Sequence, residues 1–381
     1  MRFCITKSEI VKYLDSAVSC ISAKNTNPAT EGILLTVNEG SLVMLTYDLE
    51  KGIKITVPVM DWENGSVIVD ALKFKAILNS MPDDVITVDV NEKNIMSISC
   101  NDAVIEIIAL NSSEFPSVPD INGDINFSLT QNKLKKLIEK TLFCTSNDES
   151  RPVYMGSLFE IISKNLKVTS LNNNRLANAS DTGLCNDENL NQRIVIPAKT
   201  QAVLLKILND TDTQISVSVA RKHIIFTIDN IYFIARLLNS DEFMDYTRKV
   251  PTEFSTTVTI SKSSILSCID RAGLILDEKN VRNYLKLIII ENCVQIKCDT
   301  ESGKVNDSVC ATVSGNELTI GFNHKHLSDI IKMCDTENID ICFTGPNGAA
   351  IIKNKFSEQD KKDSENTLNC FFLIMPVRMN G

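Results

Sequence analysis

Apolar residues recur at spacings of three and four in six separate stretches of this chain, and each stretch predicts an amphipathic helix. The first, KSEIVKYLDSAVSCIS (7–22), gathers Ile10, Val11, Leu14, Val18 and Ile21 on one side. The others are DALKFKAILNS (70–80), QNKLKKLIEKTL (131–142), AKTQAVLLKIL (198–208), SKSSILSCIDRAGLI (261–275) and KHLSDIIKMC (325–334). Between them lie short alternating stretches, which predict strands. GILLTV (32–37), GSLFEI (156–161) and NYLKLIII (283–290) follow the odd-numbered helices, each leading to a second strand: SLVMLTYD, NLKVTSLN and CVQIKCDT. SVIVDA, RIVIPA and LTIGFN precede the even-numbered helices, and VITVDV, QISVSV and IDICFT follow them.

The order repeats. Odd-numbered helices begin at 7, 131 and 261 and even-numbered ones at 70, 198 and 325, so the period is about one third of 381 residues. The pattern is not βαβ, and turns rich in Asn, Asp and Gly separate strands that lack central prolines. The prediction is an α+β protein of three similar domains, each with two helices packed on antiparallel sheets. Pro- and Asp-rich segments at 113–126 and 245–256 place the domains at 1–121, 122–252 and 253–381. The polar run SEQDKKDSENT (357–367) reads as an exposed loop within the third domain.

Composition adds little until charge is located. Hydrophobic residues make up 43% and charged residues 23%, which excludes disordered and collagen-like classes. The opening MRFCITKSEI has no apolar signal core, and CFFLIMPV (370–377) is too short to span a bilayer, so a soluble, cytoplasmic chain with no membrane partner is expected. A net charge of −9 argues against a phosphate-binding protein if charge is taken only as a sum. The six helical stretches, however, hold 14 Lys and Arg against 6 Asp and Glu, leaving −17 on the remainder. The stretch 131–142 is the most basic, with Lys133, Lys135, Lys136 and Lys140. Equivalent helices in three similar domains could share one basic face, suited to holding a polyanion loosely.

Chemistry is sparse. Twelve cysteines form no CxxC or zinc-type spacing and sit mostly in apolar runs, which favours reduced, packed thiols. The HxH at His324–His326 could hold a metal in a strand, but solvation or local hydrogen bonding is the better reading. No P-loop, GxGxxG, GxSxG or HExxH occurs. No catalytic residue, metal ligand or cofactor is predicted.

Several ordered segments carry a resemblance to a known family. They are EGILLTV (31–37), LTYDLE (45–50), KAILNSMPDD (75–84) and EFPSVP (114–119), then SRPVYMGSLFEI (150–161), NNRLA (173–177) and EFMDYTRKVP (242–251). The last third adds RAGLILDEK (271–279), GFNHKHLSDII (321–331) and LIMPVRM (373–379). Over its whole length the chain resembles the beta subunit of bacterial DNA polymerase III, the bacterial sliding clamps. The resemblance implies a head-to-tail homodimer forming a closed six-domain ring, the DNA clamp fold, around double-stranded DNA. It implies a non-catalytic processivity factor that tethers the DNA polymerase III catalytic subunit, the clamp loader and other polymerases and repair proteins through short linear peptides.

By position, Lys24 and Arg151 match basic residues near the family's DNA path, and Lys75, Lys136, Lys140 and Lys199 are candidates by helix location. Ile105 and Ile107 match the first-domain side of the subunit contact, and Leu274 and Ile275 the third-domain side, although ordinary core packing would account for all four. Leu171, Asn173, Arg175 and Leu176 match one wall of the family's peptide groove between the second and third domains. Met244, Arg248 and Val250 match the interdomain segment, and Leu373, Met375, Pro376, Val377 and Arg378 the C-terminal wall. Two departures stand out. Leu171-Asn172-Asn173-Asn174 replaces Thr-Asp-Gly-His, trading a glycine for asparagines that tolerate positive φ, and Phe243-Met244-Asp245-Tyr246 replaces Phe-Pro-Asp-Tyr, which should loosen the rim. An altered rim and an altered peptide preference are expected. The alternatives from the residues alone are a repeat scaffold that binds peptides without DNA, and a divergent small-molecule enzyme.

Overall fold

The computed structural model describes residues 1–21, 28–119, 121, 123–183, 189–276, 284–356 and 368–379. Lys24 and the loop at 357–367 lie outside the described residues. All six predicted helices are present: α1 (Lys7–Val18), α2 (Ala71–Ser80), α3 (Gln131–Thr141), α4 (Ala198–Ile207), α5 (Lys262–Gly273) and α6 (His324–Lys332). Short polar side chains start three of them. Asp70 accepts from the Lys73 amide at 2.7 Å, Ser261 from Ser264 and Asn323 from His326, each satisfying one otherwise orphaned N–H. α1 is shorter than its apolar pattern predicts. At Ser19 the hydroxyl and the amide both donate to the Ser16 carbonyl, so side chain and backbone close the last turn before Ile21.

The chain divides into two compact units. The first comprises residues 1–135, 185–187 and 199–238. It holds a five-stranded sheet in the order Met60–Glu63, Arg2–Thr6, Val85–Val90, Ile95–Cys100 and Ala103–Ile108. It also holds a nine-stranded sheet that runs through both the first and second repeats. There Lys51–Pro58 pairs antiparallel with Ile231–Arg236, with Ile53 opposite Phe233 and Ile55 opposite Ile231. α1 packs against α2, with Ile10, Leu14 and Ala17 of one and Phe74, Ile77 and Leu78 of the other buried. Each fully buried aliphatic side chain contributes about 1.5–3 kcal/mol.

The second unit comprises 136–184, 188–198 and 239–381. Its twelve-stranded sheet likewise joins two repeats, because Arg175–Asp181 pairs antiparallel with Asn369–Ile374. The 13-residue strand Gly303–Gly315 connects two halves of this sheet. Up to Cys310 it pairs with Cys293–Thr300, and from Ala311 it pairs with Thr256–Ser261. Gly315 ends the strand at φ 112°, where a Cβ would meet the Ser255 carbonyl oxygen at 2.1 Å, so only glycine fits. α5 packs on α6 here, burying Ile265, Ile269 and Ala272 with Leu327, Ile330 and Ile331. Every strand pairing among the described residues is antiparallel, as the alternation predicts. Among the strands not named from the sequence, Arg2–Thr6, Ile125–Thr130 and Thr256–Ser261 each run directly into an odd-numbered helix.

Candidate peptide groove, sheet edges and basic helix faces

The groove candidates converge in the second unit, and the sheet register explains how. Leu171 lies opposite Leu176, Leu176 opposite Leu373, and Leu373 opposite Ile351. Four neighbouring strands therefore set one apolar row across the seam between two repeats. At the head of this row the asparagine turn is closed by side-chain bonds. Asn172 Oδ1 accepts from the amides of Asn174 and Arg175, both at 3.0 Å, and the Asn174 carbonyl accepts from the Met375 amide at 2.8 Å. None of Asn172, Asn173 or Asn174 takes positive φ, so the lost glycine is not needed for this turn. Asn173 itself is exposed.

Arg175 is held from several sides. Its side chain is only 10% exposed and donates to Asp329 Oδ2 at 2.8 Å and to the Phe143 carbonyl at 3.4 Å. Its guanidinium also lies 5.5 Å from the centre of the Phe143 ring. His326, one helical turn before Asp329, is half-buried. Burial, reinforced by the Arg175 charge, lowers its pKa from 6.5 to about 4, so its imidazole is neutral at pH 7. His326 thus sits in a local hydrogen-bonded setting, its amide donating to the Asn323 cap of α6 and its ring set near an ion pair. Among the described residues no cluster of His, Cys, Asp and Glu has the makings of a metal site.

The segment that lacks proline is anchored at both ends. The Phe243 ring meets Tyr154 edge-on at 5.4 Å, and Tyr246 donates to Glu160 at 3.0 Å while accepting from Asn178. Met244 stays partly exposed between them, and Arg248, exposed on the rim, reaches Asp245 at 3.1 Å. The Val377 amide donates to the Gly321 carbonyl at 2.8 Å, tying down the tail that carries Met375, Pro376, Val377 and Arg378. Met375 and Arg378 are exposed, and Pro376 and Val377 are half-buried. A neighbouring cleft of about 460 Å³, lined by Pro251, Phe254, Lys353, Phe356 and Phe371, shares Val250 and Ile351 with this region.

Among the sheet edges of the described residues, two lie beside the subunit-contact candidates. Ala103–Ile108 closes the five-stranded sheet and pairs on one side only, with Ile95–Cys100. Ile105 and Ile107 are half-buried there, whereas Val104 (60% exposed) and Ile108 (82%) face outward. The stretch Gly303–Cys310 likewise has a neighbour on one side alone. Leu274, at the end of α5, is 86% exposed, and Ile275 is half-buried with its carbonyl accepting from Thr300 and Ser302. Val104 and Ile108 were not named from the sequence, although the alternation AVIEII shows that they share the face opposite Ile105 and Ile107.

The basic candidates separate into paired and exposed groups. Lys75 forms an ion pair with Asp15, and Lys140 bonds Asp335 and the Met333 carbonyl. Lys135, on the same helix, pairs with Asp210 at 2.9 Å. Lys136, Arg151 and Lys199 present exposed side chains.

Three repeats of helix and antiparallel strands, joined through sheets continuous from repeat to repeat, define a DNA clamp. Family models of the DNA polymerase III beta subunit match the N-terminal domain at residues 1–119, the central domain at 128–243 and the C-terminal domain at 247–365. The chain is 29% identical to a beta sliding clamp of Staphylococcus epidermidis and 28% identical to one of Staphylococcus aureus, each over 99% of both chains. The sliding clamp of Bacillus subtilis superposes with a TM-score of 0.91 at 25% identity, covering 100% of both chains. A putative beta subunit from Eubacterium rectale gives 0.91 at 24%, again over 100% of both. The chain belongs to the bacterial DNA polymerase III beta subunit family, the beta sliding clamps, and its function is that of a DNA sliding clamp.

Proposed function

We propose that two copies close head to tail into a ring around duplex DNA, the open edge Ala103–Ile108 of one pairing with the open edge Gly303–Cys310 of the other. The observation that carries this reading is the presence of two unpaired edges beside exposed Val104, Ile108 and Leu274. An open edge with outward apolar side chains is a template for another strand, and a closed ring pairs these two edges of each copy. Ile105, Ile107 and Ile275, half-buried in one chain, supply the apolar flank of that contact.

Duplex DNA then passes through the ring, and attraction by Lys136, Arg151 and Lys199, with Lys24 by position, need only be weak. Retention comes from topology and sliding is retained. Lys75 and Lys140, already paired with carboxylates, contribute less field. The apolar row Leu171–Leu176–Leu373 with Met244, Val250, Met375, Pro376 and Val377 receives short peptides from a replicative polymerase, the clamp loader and repair proteins. Arg175, Asn173, Arg248 and Arg378 orient them at the edge. Domains at 1–121, 122–252 and 253–381 divide the work, and the protein acts in the cytoplasm without catalysis or cofactor.

Light scattering tests the assembly. A solution mass near twice 42.3 kDa is expected, and a strict monomer at high concentration would overturn the ring.

A further inference from the structure

Two cysteines stand apart from the others. Of the eleven described, eight are buried and Cys4 is half-buried beside Thr87; burial pushes the thiols of Cys20, Cys144 and Cys334 up to about 12, which keeps them protonated and inert. Cys293 and Cys310 are instead direct cross-strand partners in the antiparallel ladder between Cys293–Thr300 and Gly303–Gly315. The Ala311 amide donates to the Asn292 carbonyl at 3.1 Å, which makes Asn292 and Ala311 the hydrogen-bonded pair. Cys293 and Cys310 are therefore a non-hydrogen-bonded pair, where Cα atoms lie about 4.5 Å apart and side chains are nearest. That spacing lies inside the roughly 4.4–6.8 Å that a disulfide requires.

Both thiols are free and point away from the core. Cys310 is exposed and Cys293 half-buried, beside Ser308 and Gln295 on the same face, while Val294, Ile296 and Val309 are buried on the other. The pair also marks the residue at which the long strand leaves one partner for the next.

We infer that Cys293 and Cys310 form a reversible redox clip, closed by a low-molecular-weight disulfide such as oxidised glutathione into a cross-strand bond that pins the strand at this corner. The exposed Cys310 thiolate attacks one sulfur of the small disulfide and expels a thiolate, leaving a mixed disulfide on Cys310. The Cys293 thiolate then attacks Cys310 Sγ and expels the second small thiolate. The two protons released by the cysteines end on the two small thiols, so one disulfide is reduced as one is formed. An exposed bond of this kind is readily reopened by thiols, unlike a buried structural one. The inference rests on the strand register and on the single chain, in which the edge Gly303–Cys310 is open; the proposed ring would pair that edge with a second copy.

The test uses the full chain, reduced and then held in buffers of graded reduced and oxidised glutathione, blocked with a maleimide and mapped as peptides without reductant. The expected product is one Cys293–Cys310 linkage that disappears on reduction. C293S should stop at a glutathione adduct on Cys310, and C310S should give neither product. C310A serves as the second variant if C310S does not fold. Amide exchange across 293–310 should slow in the oxidised protein. A stable adduct on wild-type Cys310 with Cys293 still open to maleimide, a linkage between chains, or unchanged exchange would overturn the clip.

Discussion

Arg175 and His326 show how one charged group sets the state of another. The guanidinium is held by Asp329, by the Phe143 carbonyl and by the Phe143 ring, and its charge adds to the burial that keeps His326 neutral. In the unfolded chain a histidine takes up its proton near 6.5, whereas the folded chain resists until about 4. Between those values the unfolded state binds more protons, so this group's contribution to stability is complete above pH 6.5 and is lost as pH falls toward 4. Melting temperatures at pH 7.5, 6, 5 and 4.5 should therefore decline below 6.5, and the decline should be shallower in H326Q. Equal slopes for the two proteins would contradict the assignment. Neither neighbour could be found from spacing alone, because Arg175 and Asp329 are 154 residues apart and meet only through the fold.

At the scale of elements, periodicity located all six helices because each buries a single stripe and three begin at a capping side chain. The strands leading into the odd-numbered helices were missed for a physical reason. Their five or six alternating residues abut a longer helical pattern, which dominates any window that spans both. Pairing across repeats was equally hidden, since nothing local says that Lys51–Pro58 will meet Ile231–Arg236. The edge Ala103–Ile108 lies between these cases. Its alternation was legible, but which isoleucine faces out depends on where the sheet ends, so Ile105 and Ile107 were named while Val104 and Ile108 project. V104K with I108K should leave the monomer's stability within about 0.5 kcal/mol, because both side chains are exposed in one chain. The same pair should weaken self-association by roughly 2 kcal/mol, about thirtyfold, if these residues anchor the contact. Sedimentation equilibrium checks this, and wild-type association with both lysines present would sink the edge pairing.

For the whole molecule the net charge of −9 is the instructive quantity. Segregation of lysine onto helices was legible, but ion pairing was not: Asp15 and Asp335 claim Lys75 and Lys140, leaving Lys136, Arg151 and Lys199 as the exposed set. K136E with K199E should lower DNA-dependent stimulation of a replicative polymerase while the protein keeps its solution mass. The salt dependence of DNA association should flatten by about one unit of slope for each lost phosphate contact. Unchanged stimulation would favour a scaffold that binds peptides and not DNA.

The topological claim is tested most directly by loading the protein onto a nicked circular duplex with a clamp loader, removing free protein, and cutting the circle once. The ring account predicts that protein stays on the intact circle and runs off the linear form, with blocked ends restoring retention. Protein that remains on unblocked linear DNA as well as on the circle would contradict it.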